Sequence, residues 1–186
     1  EDLYGENRFP QLIRALSKLE NIGSIRLLYC YPDAFSDALI KEIKTNEKVI
    51  KYADIPLQHS ENRILKLMNR RGTREEYLAL IKKLKKEIPG VALRSTFISG
   101  FPSETEEEYE AMKAFLKEAE LFNCGFFAYS REPDTAAAKM PGQVHYKTKE
   151  RRVRGLYETQ RQISQKLLSA FIGKKIRVLC EGIDYD

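Results

Sequence analysis

Apolar residues at Leu12, Ile13, Leu16 and Leu19 recur at the i, i+3, i+4 spacing of an amphipathic helix, so FPQLIRALSKLE is expected to be helical. SIRLLYCYP follows as an apolar strand, stopped by Pro32. The pattern then predicts a helix over 36–45, a strand over 53–58, and helices over 61–69 and 73–88. In the last of these, Thr73 and Glu76 make a T-x-x-E capping box, and Tyr77, Leu80, Ile81, Leu84 and Ile88 form the buried stripe. VALRSTFIS is the next strand. Thr105 with Glu108 caps a helix whose inward face is Tyr109, Met112, Leu116 and Ala119, and CGFFAYS is the fourth strand. Repeated β–α units of this length imply parallel strands with helices outside, in an open sheet or a barrel.

Strands buried between helices usually read as unbroken Val, Ile and Leu. YADIPLQHS instead carries Asp54, Gln58 and His59. Successive side chains of a strand point to opposite faces, so Asp54, Pro56 and Gln58 share one face, as do Arg26, Leu28 and Cys30. Arg94, Thr96 and Ile98 share another, opposite Val91, Leu93 and Phe97. One face of each strand is mostly apolar and the other carries a charge. Outer helices would cover the first, and the second would line a cavity, which suits a complete or partial barrel. The other reading is a set of buried ion pairs, for example Asp54 with an arginine, since buried charges need partners.

Composition narrows the class. With 186 residues, 42% of them hydrophobic, the chain can bury the core of one ordinary domain, with part of a second. Its apolar runs are far too short to cross a membrane, and Glu1-Asp2 opens no signal-peptide pattern. Cys30, Cys124 and Cys180 are widely spaced and form no CxxC, which favours a reducing compartment, hence the cytoplasm, over a disulfide framework. A net charge of +5 and a pI near 9.0 permit an RNA or ribosome partner. The basic runs KKLKKE and KTKERRVR both fall on expected helices and read mainly as solvated faces.

TFISGFPSETEEEY is the second informative stretch. Its strand ends at Gly100, which lets backbone approach a ligand closely, and Phe101 offers a flat surface for a ring. Ligands in such folds sit at the carboxyl ends of strands. An ordinary β–α turn would use the same residues. His59 has the acid–base chemistry of an imidazole but faces away from Gln58 in a regular strand, which favours a supporting role. His145 has no constellation around it. Tyr129 either lines the cavity mouth or is buried with a satisfied hydroxyl. No Ser–His–Asp or zinc-ligand spacing occurs, and no catalytic residue or metal ligand is singled out.

DIPLQHSENRILKLMNRRGTREEYL, LRSTFISGFPSETEEEYE and FFAYSREPDTAAAKMPGQV together resemble the radical S-adenosylmethionine methylthiotransferases, in the same order and over nearly the whole chain. PLQHSE, NRRGT and AAKMPGQV resemble the RimO type, the branch that methylthiolates an aspartate of the twelfth small-subunit ribosomal protein. The transfer-RNA branch shows a PVQSGS-like segment instead. The resemblance implies an α/β fold: a partial (β/α) TIM-like barrel of the radical SAM type, lacking its N-terminal strands, over 1–140. A linker and connecting helix would follow over 141–171 (the helix over 146–171), and 172–186 would start a truncated TRAM domain. It also implies S-adenosylmethionine and two [4Fe–4S] clusters in a longer parent. The CxxxCxxC ligands of the family do not appear here, so the piece alone is expected to bind no cluster and to be inactive.

In the family the cluster chelates S-adenosylmethionine, whose reductive cleavage yields a hydrogen-abstracting radical before sulfur insertion and methyl transfer. The resemblance assigns this chain part of the cavity wall. Gln58 and Arg94 are its polar candidates for the cofactor, with Thr96 beside the ligand and Gly100 and Phe101 near the adenine. The GxIxGxxE pattern of radical enzymes fits at Ile98 and Gly100, but Thr96 replaces its first glycine and Glu104 comes one residue late. The implied partner is a ribosomal protein, with ribosome or RNA contact through the basic helices and the TRAM domain, and no membrane. A transfer-RNA methylthiotransferase, or a non-catalytic module that docks on a ribosome or protein, are the alternatives.

Overall fold

The computed structural model describes Gly5, residues 7–176, Val178, Cys180 and Gly182. In chain order these residues form α1 (Phe9–Ser17), a 3₁₀ turn (Pro32–Ala34), α2 (Asp37–Thr45), β1 (Tyr52–Asp54), α3 (Asn62–Leu67) and α4 (Arg74–Glu87). They continue with β2 (Ala92–Ser99), α5 (Glu106–Ala119), β3 (Asn123–Ala128), the short α6 (Ala136–Lys139) and α7 (Tyr146–Ser169). Of the expected TRAM strand over 172–186, residues 177, 179, 181 and 183–186 lie outside the described residues, and the described ones form no strand.

All strands run parallel in the order β1-β2-β3. Tyr52 pairs with Ala92 and Asp54 with Arg94, while Arg94 through Ser99 run beside Asn123 through Ala128. Both capping boxes form. Thr73 and Glu76 close the start of α4, and Thr105 and Glu108 that of α5, each side chain bonding the other's backbone amide. Each such cap contributes about 1 kcal/mol. The expected stripes are buried except at Leu80, which is half-buried: Tyr77, Ile81, Leu84 and Ile88 from α4 and its cap, and Tyr109, Met112, Leu116 and Ala119 from α5. Phe97 is the centre of the core, stacked on Phe126 at 5.9 Å and edge-on to Phe115 at 6.1 Å. Helix α7 lies across β3 and β2, contributing Leu156 and Ile163.

Two strands are shorter than the pattern predicts. SIRLLYCYP makes only a single parallel bridge, Ile25 to Val49, and its Cys30 amide donates to Asp54 O at 2.9 Å. Tyr29, with φ +57°, breaks the alternation. Leu27 and Cys30 are therefore buried and Leu28 is exposed, so Arg26, Leu28 and Cys30 do not share a face. Strand β1 ends at Asp54 rather than Gln58, because Pro56 has no N–H for the ladder. The Leu57 amide donates to Ser95 Oγ at 3.3 Å, and pairing resumes at Gln58 in a left-handed conformation, φ +70°.

The outer edge of β3 is closed by a side chain. The Tyr157 hydroxyl accepts from the Phe126 amide at 3.3 Å and donates to the Phe126 carbonyl at 3.2 Å, the two bonds a neighbouring strand would make.

The basic helices are only in part solvated. On α4, Lys82 pairs with Glu118, Lys83 with Asp37, and Lys85 donates to the last carbonyls of α5 at Ala119 and Glu120. On α7, Arg151 reaches Glu106, but Arg152 is buried and holds the helix to the β2–α5 turn.

Candidate functional site

Strand β2 alternates as expected. Leu93, Ser95, Phe97 and Ser99 are buried beneath the helices, while Arg94, Thr96 and Ile98 are half-exposed on the opposite, inner face. Register adds Gly125 and Phe127 of β3, opposite Thr96 and Ile98. The expected apolar outer face is interrupted by Ser95, whose hydroxyl replaces the missing ladder acceptor for Leu57.

The ion pair foreseen as the alternative to a cavity is present on that same inner face. Arg94 Nη1 donates to both carboxylate oxygens of Asp54, at 3.0 and 3.1 Å. Asp54 is almost wholly buried, with 4% of its side chain exposed, whereas 26% of the Arg94 side chain remains accessible. Burial opposes the charge on Arg94, and the hydrogen bond and field of Asp54 outweigh it, so its pKa is raised. The two readings are compatible. Asp54 fixes one edge of the guanidinium, and the remaining donors face the inner surface. Gly125 makes room for them, since a Cβ there would lie 3.0 Å from Arg94 Nη2. Gln58 is half-buried beside β2, its amide donating to Thr96 O at 2.8 Å and its carbonyl accepting from Ile98 N at 2.8 Å. Those bonds set it opposite Phe97 rather than Ile98, so its left-handed backbone breaks the expected alternation of Asp54, Pro56 and Gln58, while Arg94 and Thr96 share the inner face.

At the end of β2, Gly100 takes φ +78°, and a Cβ there would lie 2.4 Å from Lys149 Cγ of α7. Only glycine suits this turn. Phe101 is 5% exposed and packs edge-on to Tyr129 at 5.2 Å, so its ring belongs to the packing beneath the turn. Tyr129 departs from the satisfied-hydroxyl expectation: its Oη is buried with no hydrogen-bond partner among the described residues, while its carbonyl accepts from Lys149 Nζ at 2.8 Å.

The residue the pattern undervalued is Glu104. Its fully buried carboxylate accepts from the Gly100 amide at 2.8 Å, Ser99 Oγ at 3.1 Å, Arg152 Nη1 at 2.7 Å and His59 Nε2 at 3.2 Å. The Glu61 amide donates to His59 Nδ1, so Nε2 carries the hydrogen and the ring is held as one neutral tautomer. His59 is wholly buried and supports the site without facing it. One carboxylate therefore ties the loop after β1, the end of β2 and helix α7 to the Gly100 turn. The near-miss to GxIxGxxE was the signal. His145 has a different role, capping α7 by accepting from the Lys147 amide.

The cysteines do not gather. Cys30 and Cys124 are buried in different parts of the core and Cys180 is exposed. Among the described residues no three His, Cys, Asp or Glu side chains form a set able to hold a metal. Burial pushes the Cys124 thiol far above its ordinary pKa, and burial with the nearby Asp54 charge raises that of Cys30. Thiolates are the reactive form, so limited iodoacetamide at neutral pH is expected to alkylate Cys180 first and leave Cys124 untouched, as read by peptide mass spectrometry. Early labelling of Cys124 would contradict its burial.

Residues 4–116 match the family model of the radical SAM superfamily. The chain is 49% identical over 183 residues to the ribosomal protein uS12 methylthiotransferase RimO of Caldanaerobacter subterraneus subsp. tengcongensis, covering 98% of this chain and 42% of that protein. It is 48% identical to the RimO protein of Clostridium novyi, over 97% of this chain and 41% of the relative. The chain thus spans about two fifths of the length of the curated relatives it matches. Among solved structures, the coproporphyrinogen III oxidase HemN of Escherichia coli, a radical SAM enzyme, superposes with a TM-score of 0.58 at 16% identity, covering 89% of this chain and 37% of that one. The parallel sheet with its Gly100 turn, the family match and that shared fold agree: the chain belongs to the radical SAM superfamily.

Proposed function

We propose that the intact protein containing this chain is a RimO-type enzyme that methylthiolates the β-carbon of an aspartate in the twelfth small-subunit ribosomal protein. The identity to RimO proteins over nearly the whole of this chain carries that reading. The inner sheet face supports it, because a partly accessible arginine with Thr96 beside it can hydrogen-bond a small charged cofactor.

In this reading residues 1–140 are the C-terminal part of the partial barrel, and 141–171 connect it to a following TRAM domain. Arg94 donates its free guanidinium hydrogens to S-adenosylmethionine, Gln58 and Thr96 border it, and the backbone at Gly100 and Phe101 approaches its adenine. When bound, S-adenosylmethionine supplies the methyl group and the radical chemistry. The residues of this chain hold and orient it, with Glu104 and His59 keeping the turn in place. They do not fit a [4Fe–4S] cluster, which needs thiolates held together. The two clusters belong to the remainder of the protein, and the chain alone is inactive. The solvated part of the basic faces of α4 and α7 would make the ribosome contact, in the cytoplasm.

Mass spectrometry of the ribosomal peptide, from cells with and without the gene, tests the reading. The methylthio mass shift on aspartate is expected to disappear with the gene while transfer-RNA adenosines stay unchanged. Loss of the modification from transfer RNA instead would move the protein to the other branch.

A further inference from the structure

A cleft of about 660 Å³ opens between the 3₁₀ turn and the loop joining α3 to α4, bordered by Tyr31, Asp33, Pro56, Arg70, Arg71 and Tyr77. It lies at the carboxyl ends of the strand segments, the end of the sheet that also carries the Gly100 turn. Asp33 follows the segment 25–30, and Pro56 comes two residues after β1.

The loop forming its wall is rigidly built. The Arg70 amide donates to Leu65 O at 2.8 Å, the Tyr77 hydroxyl to Arg71 O at 2.7 Å, and the Arg74 amide to Asn62 Oδ1 at 2.7 Å. Gly72 sits at φ +92° with no room for a Cβ, which would lie 2.6 Å from Tyr77 Cε1. Every one of these contacts uses backbone on the loop side. The two guanidinium groups the loop displays take no part in holding it.

Arg70 has no carboxylate partner among the described residues and lies over the Tyr31 ring at 5.4 Å. Arg71 is 95% exposed and only grazes Asp33 at 4.0 Å. Glu76, the other acid of the cleft, is committed to its capping box with Thr73. Two arginines and two acids leave the cleft without a net field to draw in a polyanion. Its aromatic and proline walls, with one unspent guanidinium, suit an extended peptide bearing a single carboxylate.

We propose that the Arg70–Arg71 loop and this cleft seat the peptide segment carrying the target aspartate, with Arg70 reading a carboxylate of that segment. The proposal rests on the protein-substrate reading above and adds to it the residues that recognise the substrate.

The test is fluorescence anisotropy of a labelled synthetic peptide, centred on the target aspartate, added to the intact protein and to its Arg70→Gln and Arg71→Gln variants. Unchanged thermal midpoints verify folding. Arg70→Gln is expected to weaken the peptide about ten- to a hundredfold, the range for a hydrogen bond to a charged group. Arg71→Gln has the smaller effect. Replacing the peptide's acidic residues one at a time by their amides should weaken wild type at one position and leave Arg70→Gln indifferent there, the non-additivity of two groups in contact. Equal peptide affinity of wild type and Arg70→Gln overturns the proposal. If the aspartate modification in cells still depends on the gene, the proposed function then stands. An anticodon stem-loop that binds in place of the peptide, and is lost on Arg70→Gln, overturns both.

Discussion

Replacing Glu104 by alanine is expected to produce the largest loss of stability of any single substitution at this site, about 3–5 kcal/mol, because it breaks a buried charge pair and strands its partners. Arg152 keeps Glu106, at 3.0 Å, but the Gly100 amide and His59 Nε2 lose their acceptor inside the protein. At roughly 2–4 °C per kcal/mol for a chain of this size, the thermal midpoint falls by about 6–20 °C. Glu104→Gln retains the shape and an acceptor for Gly100, and should fall between. Glu106→Ala is the comparison: its carboxylate is 46% exposed, and such pairs contribute about 0–1 kcal/mol. A Glu104→Ala midpoint within error of Glu106→Ala would remove the carboxylate from its place as keystone.

Arg94→Ala is expected to have two separable effects. Losing the partner of buried Asp54 costs about 2–3 kcal/mol, less than a fully buried pair because part of Arg94 is accessible. Losing its free donors weakens S-adenosylmethionine by about ten- to a hundredfold, or 1.5–3 kcal/mol. Arg94→Lys divides them. Lysine keeps a charge opposite Asp54 but has no planar fork, so stability is largely retained while cofactor affinity still falls. Asp54→Asn in the Arg94→Ala background should recover part of the stability and none of the affinity. Thermal unfolding and equilibrium binding to the intact, cluster-loaded protein provide both readouts. Unchanged binding together with a lowered midpoint would leave Arg94 as no more than the partner of Asp54.

What could be read from the chain beforehand was the part governed by local chemistry. Thr73 with Glu76, and Thr105 with Glu108, marked the starts of α4 and α5 because a capping box is complete within four residues. Strand β2 was legible because its alternation is regular from Ala92 to Ser99. The left-handed residues Tyr29 and Gln58 were not, since neither is a glycine; Gln58 pairs with β2, and beside Tyr29 the Cys30 amide donates to Asp54 O, contacts distant in sequence. Glu104 was underrated for the same reason. Its contacts with His59 and Arg152 cross 45 and 48 residues of sequence, a distance at which spacing carries no information. That Asp54 pairs with an arginine is one of the two readings its strand offers, and the structure makes that arginine Arg94. Register decided that both belong to the same inner face.

The hydroxyl of Tyr157 has a consequence for how the molecule meets its own copies. An open strand edge is a template on which another chain can add, and the exposed Phe127 beside it would make such addition adhesive. Tyr157 occupies the outward-facing amide and carbonyl of Phe126 together, so an incoming strand finds the middle of that template already taken. Helix α7 guards against self-association as well as closing the core.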